Sequence, residues 1–337
     1  MLNKAVGLSK TPAFVASRPY AKASYLAVIW QFSHTIVMYA LVIWLMFESL
    51  SIHYGVTLLL ALVASAAYTR LFMIGHDCGH GSYLPKKWQN NVLGEVIGVL
   101  TNTPLKYWAK NHLGHHKTTG NLDKRGGGDV TTLTVEEYQA ASVWRKFTYR
   151  VYRNPFFLML AAAPIYFVFL HRLPLGSQWN SREGWTSVMG TNIGIAIYYG
   201  VLIGLFGLKP FLLVYIPVVL FSSIIAVWLF YVQHQFEEAY WKRNEEWNHH
   251  DATLQGSSFY DLPKWIHWAT GNIGYHHIHH LNPRVPNYKL AECYENSFGL
   301  QGAKKFGMVE SLGTAFLALW DEEKGRLITF SQYKEWY

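Results

Sequence analysis

Long apolar stretches alternate with polar, histidine-containing stretches along this chain. A helix needs ~20 mostly uncharged residues to cross ~30 Å of hydrocarbon, so apolar runs of that length predict transmembrane helices. Lys209 and Pro210 alone separate the last two runs, which indicates a tight helical hairpin. The predicted spans are 25–47, 54–75, 187–208 and 211–233.

Two shorter apolar runs, 91–101 and 156–170, predict helices that are buried or lie in the membrane interface. Pro155 and Pro164 disfavour a continuous span through the second run. The pattern therefore predicts an all-α integral membrane fold with four transmembrane helices, interfacial helices and a helical cap. We divide the chain into an N-terminal segment, an embedded domain and a C-terminal tail, at 1–24, 25–295 and 296–337.

The orientation follows from the charges that flank the spans. The turn at 48–53 contains Glu48 and no Lys or Arg, whereas the segment before the first span has no acidic residue and four basic ones, Lys4, Lys10, Arg18 and Lys22. Because basic residues accumulate on the cytoplasmic side, the N-terminus is predicted to be cytoplasmic. With four spans, the polar stretch 76–155 and the C-terminal hundred or so residues face the same compartment, so all the histidine clusters can meet there.

Composition supports this membrane assignment. Hydrophobic residues make up 51% of the chain and charged residues only 15%. The net charge of +8 does not indicate nucleic-acid binding, because the basic residues flank apolar spans and lie among acidic neighbours. Cys78 and Cys293 are predicted to be free thiols in a reducing compartment.

Most of the histidines fall into clusters at or beyond the cytoplasmic ends of spans. His76 and His80 are four residues apart, and two other clusters repeat the spacing i, i+3, i+4. On a helix this spacing places the side chains on one face, as a shared metal site requires. His234 follows the last span. The predicted ligands are His76, His80, His112, His115, His116, His234, His276, His279 and His280.

Nine imidazoles exceed the needs of one metal ion, since structural zinc takes four ligands and catalytic zinc usually three. The clusters therefore predict two metal ions, although imidazole suits zinc, copper, iron and nickel alike. Asp77 and Glu237 lie close to proposed ligands and are candidates to accept the second ring N–H. The histidines off this pattern are interpreted as structural: His34, His53, His171, His249, His250 and His267. His277 is interpreted in the same way, although it lies inside a cluster, because it is off the i, i+3, i+4 spacing.

These clusters, the His-Gln-Phe-Glu stretch that begins at His234 and the surrounding spans resemble the membrane fatty acid desaturases, from about residue 25 to about residue 295. The stretches 119–125, 256–258 and 271–283 are similar to the bacterial acyl-lipid branch of that family, including the Bacillus delta-five type. None of the nine histidine positions departs from the family pattern.

The resemblance implies a non-haem di-iron centre that uses O2 to insert a cis double bond into an acyl chain of a membrane lipid. It also implies the bacterial cytoplasmic membrane, with the active site facing the cytoplasm. The sequence has no Cys-x-x-Cys-His motif and no strand followed by Gly-x-Gly-x-x-Gly. Two electrons per turnover must then come from a separate donor, such as ferredoxin or flavodoxin.

Two other functions remain alternatives at this point. A related hydroxylase or ketolase, acting on an alkane or a carotenoid, would use the same histidine pattern. A metal transporter fits less well, because a transport path requires polar groups in the middle of several spans, and these spans have apolar centres. Double-bond position, chain length, lipid head group, division of ligands between the irons and oligomeric state do not follow from the sequence.

Overall fold

The computed structural model of the chain describes residue 9 and residues 11–125 and 129–337. Helices dominate the described part. They are α1 Pro12–Ser17, α2 Tyr25–Ser49, α3 Tyr54–His80, α4 Lys87–Leu100, α5 Leu105–Thr118, α6 Val135–Ala140, α7 Val143–Tyr152, α8 Pro155–Phe157, α9 Ala163–Val168, α10 Arg182–Phe206, α11 Leu208–His234, α12 His249–Gln255, α13 Lys264–Ala269, α14 His276–Leu281, α15 Leu290–Asn296, α16 Met308–Thr314 and α17 Phe330–Trp336.

Four long helices, α2, α3, α10 and α11, coincide with the four predicted spans. Each is 25 or 27 residues long and apolar enough to cross a membrane. Their outward side chains are apolar as well, and Leu26 and Trp30 on α2 are 81% and 73% exposed. Large apolar side chains exposed along a long helix are expected where lipid replaces water as the solvent. The chain is thus a helical membrane protein.

The apolar run predicted at 156–170 is longer in the structure. The segment Pro155–Gln178 has 24 residues and, by length and composition alone, is a fifth candidate span. It is not a regular α-helix, since Leu158–Ala162 forms a wider π-helical turn between α8 and α9. The segment is therefore long enough to cross, and its length alone does not support the predicted interfacial position.

Both ends of that segment nevertheless attach to elements that carry histidines. Just before it, Arg153 donates to Gln235 Oε1 over 2.9 Å, directly after the histidine end of α11. At its other end, Gln178 donates to Asn111 Oδ1 over 2.7 Å, next to His112 on α5. Both ends of the segment therefore lie on the histidine-bearing side of the spans. This agrees with a segment that enters the apolar layer and returns, so the prediction of four crossings is retained.

The short run at 91–101 lies in α4, which pairs with α5 as a helical hairpin. Two α4 glycines allow this close packing: an added Cβ at Gly94 would lie 2.2 Å from Leu105 Cδ2, and one at Gly98 2.5 Å from the Thr103 carbonyl oxygen. Asn102 makes the turn with a positive φ of 53°. The hairpin returns the chain so that the second half of α5 lies beside the end of α3.

Residues 296–337 are not a separate tail, which corrects the predicted division of the chain. Two short sheets join this region to the rest: β2 Phe259–Tyr260 pairs with β3 Lys305–Phe306, and β1 Leu133–Thr134 pairs with β4 Leu317–Asp321, which pairs with β5 Arg326–Thr329. Apolar side chains of β4, β5 and α17 pack against α6 and α7. The region is an integral part of the histidine-bearing cap.

The N-terminal segment packs onto the same cap. Ala13 of α1 lies in an apolar cluster with Ile278 of α14. Asn282 donates a hydrogen bond to Ser17 over 2.8 Å. Residues 1–8 and 10, and with them Lys4 and Lys10 of the orientation argument, lie outside the described residues.

Candidate metal centre

The nine predicted ligands converge from four elements far apart in the sequence. The last turn of α3 supplies two, the second half of α5 three, the last residue of α11 one, and α14 three. In α5 the i, i+3, i+4 spacing turns all three rings inward, while Lys110, Leu113 and Lys117 on the opposite face are exposed. Amphipathic spacing thus decides which side chains of α5 reach the centre.

Four of these histidines form a first group. His76, His80, His112 and His279 each offer one ring nitrogen, and these nitrogens all lie within 4.8 Å of one another. His76 Nε2 and His112 Nε2 are 3.0 Å apart. His80 is the only half-buried member, and the other rings are buried.

The second group consists of His115, His234, His276 and His280, whose ligand nitrogens also lie within 4.8 Å of one another. Here all members are buried. His234 Nε2 lies 2.9 Å from His276 Nε2 and 3.1 Å from His115 Nε2. The two groups are neighbours, because α5 and α14 contribute to both.

His116 lies between the two groups. Its Nε2 is 3.0 Å from His112 Nε2 and 3.0 Å from His279 Nε2, which places this nitrogen with the first group. Its ring also stacks on that of His280, with centroids 4.1 Å apart. The structure therefore brings all nine predicted ligands together, as five nitrogens around one position and four around the other.

Hydrogen bonds at the outer ring nitrogens fix the tautomers of three histidines. Asp77 accepts from His76 Nδ1 over 3.0 Å, Asp129 accepts from His115 Nδ1, and the Gly256 carbonyl accepts from His234 Nδ1 over 2.9 Å. A carboxylate or carbonyl oxygen only accepts, so each of these Nδ1 atoms carries the proton. The Nε2 atom of each neutral ring then presents a lone pair, as metal-bound histidines do.

This arrangement fits cations better than it fits hydrogen bonding among the rings. His115 Nε2 and His234 Nε2 are 3.1 Å apart, yet neither has a proton to donate while both rings are neutral. Two facing lone pairs repel unless a cation lies between them. With its sets of five and four imidazole nitrogens, the site has the donor chemistry for two transition-metal ions.

Burial keeps the rings neutral and available as ligands. Loss of solvation holds the pKa of His112, His116, His276, His279 and His280 well below the usual value of 6.5, and the neighbouring histidines lower it further. A charged imidazolium is costly in such a site, whereas a neutral imidazole can coordinate. Near neutral pH these five rings are therefore deprotonated.

The two predicted carboxylates have different positions. Asp77 lies as expected beside His76, and its other oxygen accepts from the Asn287 main-chain N–H over 2.6 Å. Glu237 does not contact any histidine ring of the described residues. Instead it pairs with Arg326 over 2.8 Å at the surface, which corrects the prediction. Arg326 belongs to the β4–β5 hairpin, and this hairpin was not predicted because residues 296–337 were interpreted as a tail.

Asp129 is the carboxylate that sequence reasoning missed. It is buried beside His115, and its Oδ2 atom has no hydrogen-bond partner among the described residues. It lies in the stretch 121–129, which has the composition of a loop and no periodicity that links it to α5. The available signal was weaker, because Asp129 is the second of two acidic residues in the loop after a histidine cluster, and the nearer one, Asp123, pairs with Arg243.

The histidines interpreted as structural stay outside both groups. His277 turns away and its Nε2 lies 2.9 Å from the Leu300 carbonyl oxygen, although it belongs to the α14 cluster. His53 is exposed, His250 is half-buried beside Asp251, and His267 accepts from the Leu262 N–H over 3.2 Å. Cys78 and Cys293 are buried free thiols, as predicted.

An apolar space lies next to the first group, on the side that faces into the membrane. Trp108 stacks on His112 with ring centroids 4.5 Å apart, and Phe72 packs edge-on against Trp108. Phe72 also lines a cavity that continues between α3, α9 and α11, lined by Tyr68, Thr69, Phe167, Ser222, Ser223 and Ala226. Trp108 and Phe72 thus form an apolar wall beside the first group.

Fold and site together define a helical membrane protein with two adjacent histidine sites suited to metal ions. The chain belongs to the fatty acid desaturase family, whose family model, described as "Fatty acid desaturase", matches residues 49–310. The resemblance noted from the histidine clusters is thereby confirmed, and the protein is a fatty acid desaturase.

Individual relatives agree with this assignment. The chain is 44% identical to a "Fatty acid desaturase" of Bacillus subtilis over 290 residues, which cover 86% of this chain and 82% of the relative. It is 28% identical to an "sn-1 oleoyl-lipid 12-desaturase" of Picosynechococcus, covering 67% and 64% of the two chains. An "sn-1 acyl-lipid omega-3 desaturase (ferredoxin)" of Nostoc is 29% identical, with 69% and 65% covered.

Proposed function

We propose that this protein inserts a cis double bond into acyl chains of membrane lipids, with two non-haem irons held by the nine histidines and O2 as co-substrate. The observation that carries the proposal is the pair of histidine groups, in which Nε2 lone pairs face each other. The names of the cyanobacterial relatives, which act on oleoyl- and acyl-lipids, support a lipid substrate.

The ligand sets follow from the two groups. His76, His80, His112, His116 and His279 would hold one iron, and His115, His234, His276 and His280 the other. When bound, the irons supply the oxidising power that breaks two unactivated C–H bonds, which no acidic or basic side chain can ionise. Over one turnover, O2, two electrons and two protons remove two hydrogens from neighbouring carbons, and two molecules of water form.

The chain's own residues hold the substrate and the ligands. Asp77 and Asp129 orient His76 and His115 by accepting their Nδ1 protons. Trp108 and Phe72 form an apolar wall beside the first group, along which methylene groups can lie. The depth to which an acyl chain inserts along this wall would select the carbon pair, because a uniform chain offers no other landmark.

Electrons would come from an external carrier such as ferredoxin or flavodoxin, in agreement with the word ferredoxin in the name of the Nostoc relative. We place the protein in the bacterial cytoplasmic membrane with both histidine groups on the cytoplasmic side. The charge distribution around α2 supports this orientation, since Lys22 precedes the helix and Glu48 lies near its other end.

The test is a product analysis in a bacterial host that supplies ferredoxin. Membrane fatty acids are analysed by gas chromatography with mass spectrometry after expression of the parent, of His279→Ala and of His250→Ala. The parent and the control His250→Ala, at a half-buried histidine outside both groups, should both form a new unsaturated acid, and His279→Ala should form none. The position of the double bond is read from the same spectra.

An acyl chain that gains oxygen instead of a double bond would contradict the proposal and indicate a hydroxylase. An unaltered product pattern in His279→Ala would show that this histidine is not a ligand.

A further inference from the structure

Three segments meet above the first histidine group and form one basic surface. The Tyr288 hydroxyl joins them, accepting from the Ser24 N–H over 3.0 Å and donating to the Tyr83 carbonyl oxygen over 3.2 Å. Asn282, in the same segment as Tyr288, bonds to Ser17. The basic side chains of these segments, called here the basic patch, are Arg18, Lys22, Lys86, Lys87, Arg284 and Lys289.

The basic patch has no acidic residues of its own. The stretches 11–31, 81–94 and 282–291 contain neither Asp nor Glu, while Glu95, paired with Lys106, and the exposed Glu292 directly follow two of them. Elsewhere on the surface several basic residues are paired with carboxylates, for example Arg243 with Glu322 and Lys304 with Glu238. No ion pair involves a member of the patch among the described residues, and five of the six side chains are exposed, Lys289 being half-buried. The patch therefore carries a net positive charge, because its six basic side chains outnumber the acidic residues beside them.

A short chain of hydrogen bonds connects this surface to the first histidine group. Asn287, the residue before Tyr288, donates to Asp77 Oδ2 through its main-chain N–H over 2.6 Å and its side chain over 2.8 Å. The other oxygen of Asp77 accepts from His76 Nδ1. Asn287 is held further by Gln31, which donates to its side-chain oxygen over 2.7 Å. Two hydrogen-bonded steps thus separate a residue beneath the patch from a ligand ring.

We propose that the basic patch is the docking site of an acidic one-electron carrier protein, and that electrons enter the first histidine group through Asn287, Asp77 and His76. This inference rests on the proposed function, which requires an external donor. Net charge of one sign steers an oppositely charged partner to the surface and speeds its association. Redox encounters use small interfaces, so a patch of this kind suffices.

The test compares two triple variants of the full chain in nanodiscs. The patch variant is Lys87→Glu/Arg284→Glu/Lys289→Glu, and the control is Lys124→Glu/Lys264→Glu/Lys334→Glu, which alters net charge equally at exposed positions outside the patch. Turnover is driven either by reduced ferredoxin or by reduced methyl viologen, a cation that the patch does not attract. The patch variant should need about tenfold more ferredoxin for half-maximal rate at low salt.

The same variant should keep the parent's rate with methyl viologen, and the control variant should resemble the parent with both reductants. An equal loss of ferredoxin-driven activity in the patch and control variants would overturn the proposal, because the change in net charge alone would then explain the loss. An unchanged ferredoxin dependence, with a new requirement for phosphatidylglycerol in the nanodisc, would overturn it in favour of a lipid contact. A parent that forms no double bond with either reductant would contradict the proposed function instead.

If the charge reversals prevent folding, the neutral variant Lys87→Gln/Arg284→Gln/Lys289→Gln replaces them. It should show a smaller shift in the same direction, and a weaker salt dependence of the ferredoxin-driven rate than the parent shows. An unchanged salt dependence would overturn the docking site.

Discussion

The two histidine groups are built from the same helices but supported in different ways. The first group lies at the end of α3, includes the half-buried His80, and is connected through Asp77 to a segment beneath the basic patch. The second is wholly buried at the end of α11, and its carboxylate, Asp129, comes from a loop. One group has a short connection to the surface, and the other is enclosed by the cap.

The two groups share the histidines of the two i, i+3, i+4 clusters, one on α5 and one on α14. In α5, positions i and i+4, His112 and His116, belong to the first group, while i+3, His115, belongs to the second. In α14 the division is reversed, since the middle position, His279, belongs to the first group. Each helix thus divides one stripe of histidines between two sites, which makes the sites neighbours.

The largest expected effect comes from removing one ligand of each group. His112→Ala should leave the second group intact, and His115→Ala the first, so each variant should bind about half of the parent's iron and form no unsaturated product. The neutral rings are required as ligands, and alanine offers no replacement donor. Iron per chain is measured by mass spectrometry, and product by gas chromatography.

His277→Gln is the matched control, because His277 lies between ligands in the sequence but turns toward Leu300. It should keep the parent's iron content. Loss of half the iron in this control would show that the α14 pattern has been divided incorrectly.

A smaller effect is expected from the carboxylates that support each group. Asp77→Asn and Asp129→Asn replace an acceptor by a weaker one, and second-sphere changes of this kind typically reduce metal affinity or activity about 10- to 100-fold. Asp77→Asn should weaken the first site and Asp129→Asn the second, as measured by chelator-driven iron loss. Glu237→Gln should change neither, since Glu237 pairs with Arg326 at the surface. Faster iron loss in that variant would contradict the structural placement.

The smallest effect concerns stability behind the second group. Arg153 is buried and donates to Gln235 Oε1, the Leu317 carbonyl and the Tyr231 hydroxyl, and it has no carboxylate partner among the described residues. Arg153→Met should cost about 2 to 3 kcal/mol, since hydrogen bonds to a charged donor are lost. The thermal midpoint in detergent should fall, whereas Arg326→Met, at a half-exposed pair, should cost about 0 to 1 kcal/mol. Equal thermal midpoints of Arg153→Met and Arg326→Met would show that the hydrogen bonds of Arg153 do not stabilise the cap.

The parts of the fold that follow a period could be predicted from the sequence. Apolar length alone located α2, α3, α10 and α11. Helical spacing selected eight histidines and the end of the last span selected His234, and all nine converge. The contacts that depend on distant segments could not be predicted. Asp129 contacts His115 from an irregular loop. Glu237 forms an ion pair with Arg326, which belongs to the β4–β5 hairpin that pairs with β1. No local pattern marks such pairings, because three-dimensional packing alone creates them.

The most direct test of the account is Mössbauer spectroscopy of active protein that has been purified with ⁵⁷Fe and assayed for desaturation. The account predicts two irons per chain in a coupled pair of nitrogen-rich sites, and loss of the coupled signal in both His112→Ala and His115→Ala. Full desaturase activity with one iron per chain, or with two irons that show no coupling, would contradict it.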